Sequence, residues 1–108
     1  MAKLERTIYN EDFDQLLERI ERGILSGSMS ASLEDGSDYA LNGARCSVRV
    51  FERYSAMGDN RVSLNVTLFQ NGDGIQVSGI TSGGSQALFF KMNTFGEEAF
   101  LDKLNEIL

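Results

Sequence analysis

Between residues 44 and 82 the chain alternates apolar and polar positions in three successive runs. The apolar side chains that recur at every second residue are Cys46, Val48 and Val50, then Val62, Leu64, Val66 and Leu68, then Ile75 and Val77. A period of two places such side chains on one face of a sheet, whose other face is more polar. The pattern therefore predicts three antiparallel strands with one buried face and one wetter face.

Two amphipathic helices are predicted, one on each side of these strands. The first follows Asn10, an N-cap residue, and its apolar stripe has the three-four spacing of a helix: Phe13, Leu16, Leu17, Ile20 and Ile24. Gly23 and Gly27 are candidate stop signals. Residues 94–97 fit a capping box and precede a second stripe, formed by Phe100, Leu101, Leu104, Ile107 and Leu108.

Turn residues set the pairing of the strands. Asn42-Gly43 predicts a hairpin in which Leu41 lies opposite Ala44 and Tyr39 opposite Cys46. A second tight turn over residues 71–74 sets Phe69 opposite Gln76 and Leu68 opposite Val77.

The segments outside these hairpins are less distinct. Residues 28–33 alternate and predict a further strand, and Asp35-Gly36 indicates a bulge or turn. Residues 87–92 suit either a fifth strand or a buried helical turn, and we favour the strand.

These elements predict an α+β fold. We expect a two-layer sandwich over residues 1–108, a single domain in which an antiparallel β-meander of four to five strands carries the N- and C-terminal helices on one face. The other sheet face is then exposed, or covered by a partner. Composition agrees with a globular domain, since 42% of residues are hydrophobic.

Composition also limits the cellular compartment and the kinds of catalytic or metal site that we expect for this protein. No apolar run approaches the ~20 residues that span a bilayer. The residues from Met1 to Arg6 lack the apolar h-region of a signal peptide, and the single cysteine gives no internal disulfide. We therefore expect a cytoplasmic protein. Without histidine there is no Ser-His or Cys-His pair and no zinc site, so we expect a non-enzymatic protein without a metal or cofactor.

The wetter face carries the main candidate site. Arginines recur along the first strand, and aromatic and hydroxyl residues accompany them, namely Arg45, Arg49, Arg53, Phe51, Phe69 and Ser78. Arginine interleaved with aromatic rings suits stacking on a partner's surface or on a ligand. Three interpretations stay open: a solvated face, a homodimer or protein interface, or a site for an anionic small molecule or nucleic acid. The net charge of −6 argues against nucleic acid.

Two further features have open alternatives. The glycine-rich loop over residues 79–86, with Gly83 and Gly84, is either a flexible turn or an anion cradle, although it lacks the lysine of a P-loop. Glu52 falls among the apolar positions of its strand, where it lies at the sheet edge, pairs with Arg61 or marks a cavity.

Four segments together resemble a small family of uncharacterised single-domain proteins from Gram-positive bacteria, classed as a domain of unknown function. They are SASLED at 30–35, RVSLN at 61–65, SGGSQA at 82–87 and NTFGEEAFLD at 93–102. The resemblance implies a bacterial, cytoplasmic, stand-alone domain, and it brings no activity or site residues.

Two functional hypotheses follow from the residues. The first is an assembly module whose arginine face contacts a protein partner or a second copy. The second is a protein that binds a small anionic metabolite through the arginines and the Gly83-Gly84 loop.

Overall fold

A five-stranded antiparallel sheet and two helices make up the computed structural model, which describes residues 1–55, 60–83 and 90–108, with only the backbone at 90–94. In chain order the elements are β1 (Ala2–Ile8), α1 (Phe13–Ser26), β2 (Ser32–Leu41), β3 (Ala44–Ser55), β4 (Asn60–Gln70), β5 (Ile75–Gly83) and α2 (Phe90–Ile107). The strand order across the sheet is β1-β5-β4-β3-β2. This arrangement confirms the predicted α+β class.

Both predicted hairpin registers are confirmed. Tyr39 lies opposite Cys46 across the Asn42-Gly43 turn, where both turn residues have positive φ (52° and 83°). Phe69 lies opposite Gln76 across the second turn. The predicted irregularity near Asp35 is a register shift between Leu33 and Asp35. This bulge lies on an edge strand, where an extra residue bends the strand and interrupts its pairing.

One face of the sheet carries the hydrophobic core. Both helices pack against it, and the alternate residues of β4, Val62, Leu64, Val66 and Leu68, are fully buried there. The predicted stripe of α1 is buried in the same core. Gly79 of β5 lies directly under α2, where a Cβ atom would come within 2.5 Å of Leu104. The close approach of this helix therefore depends on the absence of a side chain on the strand.

The N-terminal part of the chain differs from the prediction in three respects. Strand β1 was not predicted, and it pairs antiparallel with β5, Ala2 opposite Thr81. The N-cap of α1 is Asp12 rather than Asn10, and its carboxylate accepts a hydrogen bond from the Gln15 amide (3.0 Å). Asn10 instead takes a left-handed conformation, with φ of 61°, in the connection.

The strand and helix boundaries also differ at two places. Strand β2 begins at Ser32, so residues 28–31 form a turn before it rather than part of the strand. Helix α2 begins at Phe90, so the strand favoured for 87–92 is wrong over 90–92, and the predicted capping box lies within the helix. Residues 87–89 lie outside the described residues.

Candidate functional site

The two faces of the sheet follow from the burial of β4. Its alternate residues from Val62 to Leu68 are fully buried against the helices, so the residues between them, including Asn65 and Phe69, face the other way. Residues paired directly across neighbouring strands share a face. The side of Val62 is the helix-side face, and the side of Phe69 is the open face.

Strand β3 has the opposite orientation to the one predicted. Phe51 lies opposite Leu64 and is fully buried, and Arg49 lies opposite Val66, so the arginine row points toward the helices. Cys46 lies opposite Phe69 on the open face. The predicted shared face is therefore wrong, because the arginine row and Phe51 lie on one side of the sheet and Phe69 and Ser78 on the other.

Two residues of the arginine row, Arg45 and Arg49, attach α1 to the sheet. Arg45 donates to Asp14 (2.6 Å), and its guanidinium lies 4.2 Å from the centre of the Phe13 ring. Arg49 donates to Glu21 (2.7 Å) and lies 3.0 Å from a carboxylate oxygen of Asp38. These contacts explain the orientation of β3, since both charges are neutralised by carboxylates within the chain.

The pKa shifts agree with this pairing. Burial acts to lower the pKa of Arg49, but hydrogen bonds to Glu21 and Asp38 outweigh burial, and the pKa is raised. Hydrogen bonds from Ser47 and then Arg49 lower the pKa of the Asp38 carboxyl. Both groups are therefore charged at neutral pH and satisfied within the chain.

Arg53 is the exception in the row. Its guanidinium lies 4.5 Å from the centre of the Phe100 ring, and no carboxylate of the described residues pairs with it. Burial lowers its pKa. Gly83 lies on the same row of the helix-side face, with Val62 between them. Of the anion site predicted from sequence, the structure brings only Arg53 and Gly83 to one end of the sheet, because Gly84 lies outside the described residues.

The orientation of β3 also decides between the three alternatives for Glu52. It lies on the open face, where Arg61 donates to it (2.9 Å), so the pairing considered among the three alternatives is confirmed. Arg61 also approaches the Ser32 hydroxyl (3.4 Å). The ion pair is therefore balanced and adds no net charge to the open face.

The open face combines exposed aromatic and aliphatic side chains with uncharged polar ones. Its exposed large hydrophobics are Tyr39, Leu41, Tyr54, Phe69 and Ile80. Hydroxyl and amide groups lie among them, including Asn65, Thr67 and Ser78. Exposed aromatic rings are enriched at the centre of protein interfaces.

An open depression of ≈ 480 Å³ lies on this face over β1, β5 and β4. Its lining includes Thr7, Phe69, Gln76 and Ser78, together with the charged residues Glu5 and Arg6. Two of the residues predicted from sequence, Phe69 and Ser78, thus meet at one concave place, whereas the predicted Arg45, Arg49 and Arg53 lie on the other face.

Sequence reasoning missed the role of α1, and one signal for it was available. Asp14 and Glu21 are seven residues apart, about 10 Å along a helix, and Arg45 and Arg49 are about 13 Å apart along a strand. The spacing of the two acids on the helix is close enough to the spacing of the two arginines on the strand for ion pairs to form between the helix layer and the sheet. Phe51 on the arginine side was a second signal, because a fully apolar ring there contradicts a solvated face.

No group of three or more Cys, Asp or Glu side chains in ranges 1–55, 60–83 and 90–108 is placed to hold a metal ion. Among the helices of this part of the chain, none is long and apolar enough to cross a membrane.

Fold and site together define a two-layer α+β protein with one helix-covered sheet face and one open face. A scan against family models matches the chain over residues 1–108 to a family of unknown function, DUF6054, and the chain belongs to that family. The resemblance found in the sequence is thus confirmed at the level of a domain of unknown function. No curated protein matches the chain.

Proposed function

We propose that this protein is a non-enzymatic assembly module that associates with a second copy of itself through the open face. The proposal includes the setting that the sequence resemblance implies, the cytoplasm of a Gram-positive bacterium. The observation that carries it is the one-sided layering: both described helices pack on the helix-side face, whereas Phe69 (41%) and Tyr39 (64%) remain exposed on the other.

The charges of the open face support contact between identical copies. Lys3 pairs with Glu5 (2.9 Å) and Arg61 pairs with Glu52 (2.9 Å), so these four charges of the open face are matched, and Asp35 adds one further carboxylate. The whole chain carries a net charge of −6. Two copies that met through their acidic helical sides would repel each other, whereas the open faces meet with little repulsion.

The alternative hypothesis of a small anionic ligand has less support. It relied on three arginines, and two of them already pair with Asp14, Glu21 and Asp38. A guanidinium held by carboxylates within the chain has little capacity left for an external anion. The open face is therefore the better candidate for a binding surface.

The test is to measure the molar mass of the wild-type chain by sedimentation over a range of concentrations, beside the variant Phe69→Ser. We expect a reversible dimer for the wild type and at least a tenfold weaker association for the variant, about the loss expected for an aromatic interface residue. Phe69 lies outside the core, so the unfolding midpoint should stay close to that of the wild type.

Phe95→Ser is the matched control, since Phe95 is a similarly exposed ring (54%) on α2. It should leave the dimer unchanged. A wild-type chain that stays monomeric at every concentration, or equal weakening by the two variants, would contradict the proposal.

A further inference from the structure

The register of the sheet divides the centre of the open face into three rows that run across all five strands. In the order β2, β3, β4, β5, β1, the first row is Tyr39, Cys46, Phe69, Gln76 and Thr7. The second is Ser37, Val48, Thr67, Ser78 and Glu5. The third is Asp35, Val50, Asn65, Ile80 and Lys3. Each row has its centre on β4, with two strands on either side.

This symmetry about β4 allows a self-complementary contact. We propose, building on the self-association above, that two copies pack open face to open face about a two-fold axis that runs parallel to β4. Such an axis places β3 over the partner's β5 and β2 over the partner's β1, and it keeps every row over itself. A two-fold contact of this kind is isologous, so every pair of residues occurs twice.

The third row is complementary under this axis. Asp35 lies over the partner's Lys3, Val50 lies over the partner's Ile80, and Asn65 meets the partner's Asn65. An acid thus meets a base, an apolar side chain meets an apolar one, and an amide, which both donates and accepts, meets its own copy. Both charged side chains are exposed in the single chain, and the ion pair of Lys3 with Glu5 is solvent-exposed, so Lys3 can change partner at small cost.

The first row supplies the aromatic contact. Tyr39 lies over the partner's Thr7 and Cys46 over the partner's Gln76, and both of these partner residues line the open depression of ≈ 480 Å³. Phe69 forms one wall of that depression and meets the partner's Phe69 at the axis. A protruding tyrosine from one copy therefore fills a concave site on the other, and the arrangement repeats through the symmetry.

The other two-fold arrangement fits less well. An axis across the strands at the second row would place Glu5 over the partner's Glu5 and Phe69 over the partner's Asn65. Like charges then face each other, and an aromatic ring covers an amide. Sheets that pack face to face lie about 10 Å apart and keep their mean strand directions within about 30° of each other. An axis along β4 meets this condition, because it leaves the two copies of β4 parallel.

A charge-exchange experiment tests the pairing of Lys3 with Asp35. Lys3→Asp and Asp35→Lys each place like charges together, and each should weaken dimerisation about tenfold. The double variant Lys3→Asp/Asp35→Lys restores an opposite pair and should bring the dissociation constant back to within about threefold of the wild type. Glu18→Lys reverses an exposed charge on α1 and is the control that should leave the dimer unweakened. Circular dichroism verifies that each variant is folded.

Cross-linking tests the direction of the axis. In a Cys46→Ser background, Asn65→Cys places two thiols on the proposed axis, within reach of a short bis-maleimide across the gap of about 10 Å. Ser37→Cys is the matched comparison, because it meets its own copy only if the axis runs across the strands. We expect a cross-linked dimer from Asn65→Cys and none from Ser37→Cys.

The outcomes separate this geometry from the function on which it rests. Restored affinity in the double variant together with Asn65 cross-linking supports the geometry. A wild-type dimer whose double variant stays weak, or which cross-links through Ser37→Cys, overturns the geometry and leaves self-association standing. A wild-type monomer overturns both.

Discussion

Arg49 shows how a charged residue can take a place in the interior of a small sheet. Its side chain is only 13% exposed, yet it contacts two carboxylates and the carbonyl oxygens of Ser37 and Val48. All of these partners are acceptors for a planar group with five N–H donors. The residue therefore joins three elements, α1, β2 and β3, through one guanidinium.

Removing this guanidinium should destabilise the fold. Arg49→Ala leaves Glu21 without its partner at the layer boundary, and we expect a loss of about 1–3 kcal/mol in the free energy of unfolding, as for hydrogen bonds to charged groups. Urea denaturation measures the loss. Arg22→Ala is the control, because its pair with Glu18 has side chains that are 71% and 69% exposed. It should cost less than about 1 kcal/mol, and equal losses for the two variants would refute the role of Arg49.

At the scale of elements, the contact between α2 and β5 depends on one small residue. Gly79 lies beneath Leu104, which is fully buried and has little freedom to move. Leu101 lies close to the same point, 3.3 Å from the position of an added Cβ. A methyl group there would push the helix away from the strand.

Gly79→Ala should therefore lower the free energy of unfolding by about 1–3 kcal/mol, the usual cost of overpacking a core. Ser78→Ala, one residue away and on the open face, should change it by no more than about 0.5 kcal/mol. Chemical denaturation of both variants compares the two faces of the same strand. Tolerance of alanine at Gly79 would show that α2 packs less closely than the structure indicates.

Elements in which local pattern and burial agree were predictable from sequence. Strands β4 and β5 alternate strictly, and α1 carries an uninterrupted apolar stripe. In all three elements the periodic apolar residues are the ones that are buried in the core. Strand β3 alternates just as strictly, but its apolar residues Val48 and Val50 lie on the open face. Periodicity alone distinguishes the two faces of a strand but does not say which face is buried. In β3 the carboxylates of α1, which pair with Arg45 and Arg49, decide which face points toward the helices.

Strand β1 and part of the open face could not be predicted from sequence, for different reasons. In β1 the alternation is interrupted by Arg6, which lies on the helix side and donates to Asn105 (3.2 Å). That partner is distant in the chain, so no local rule identifies the strand. The open face as a candidate site was partly accessible, since Phe69 and Ser78 were chosen from sequence, whereas Tyr39 and Thr7 join them only through strand order.

At the scale of the whole molecule, Arg45 and Arg49 of the arginine row are held by carboxylates of α1 and β2 whose protonation depends on pH. A hydrogen bond from Arg45 lowers the pKa of Asp14, and a hydrogen bond from Ser47 lowers that of Asp38. A carboxyl whose folded-state pKa is lowered stabilises the fold above its unfolded value and loses this contribution as the pH falls through the folded value.

Stability should accordingly decline as the pH falls below the usual carboxyl value of 3.8. Ser47→Ala removes the main cause of the Asp38 shift and should flatten this decline, as seen in urea midpoints measured over a pH series. Ser63→Ala is the control, because its hydroxyl bonds Ser82 rather than a carboxylate. The same pH profile in the wild type and in Ser47→Ala would argue against the assignment.

The pairing of β1 with β5 also affects the order in which the strands pair while the chain is being synthesised. Ala2 pairs with Thr81, so β1 has no partner until β5 has been synthesised. The meander from β2 to β5 forms from neighbouring segments, so it can assemble while β1 still has no partner. Contacts between distant segments carry a loop-closure cost and slow folding. Among these five strands β1 is synthesised first and paired late, and until it pairs its apolar residues are accessible to chaperones and proteases.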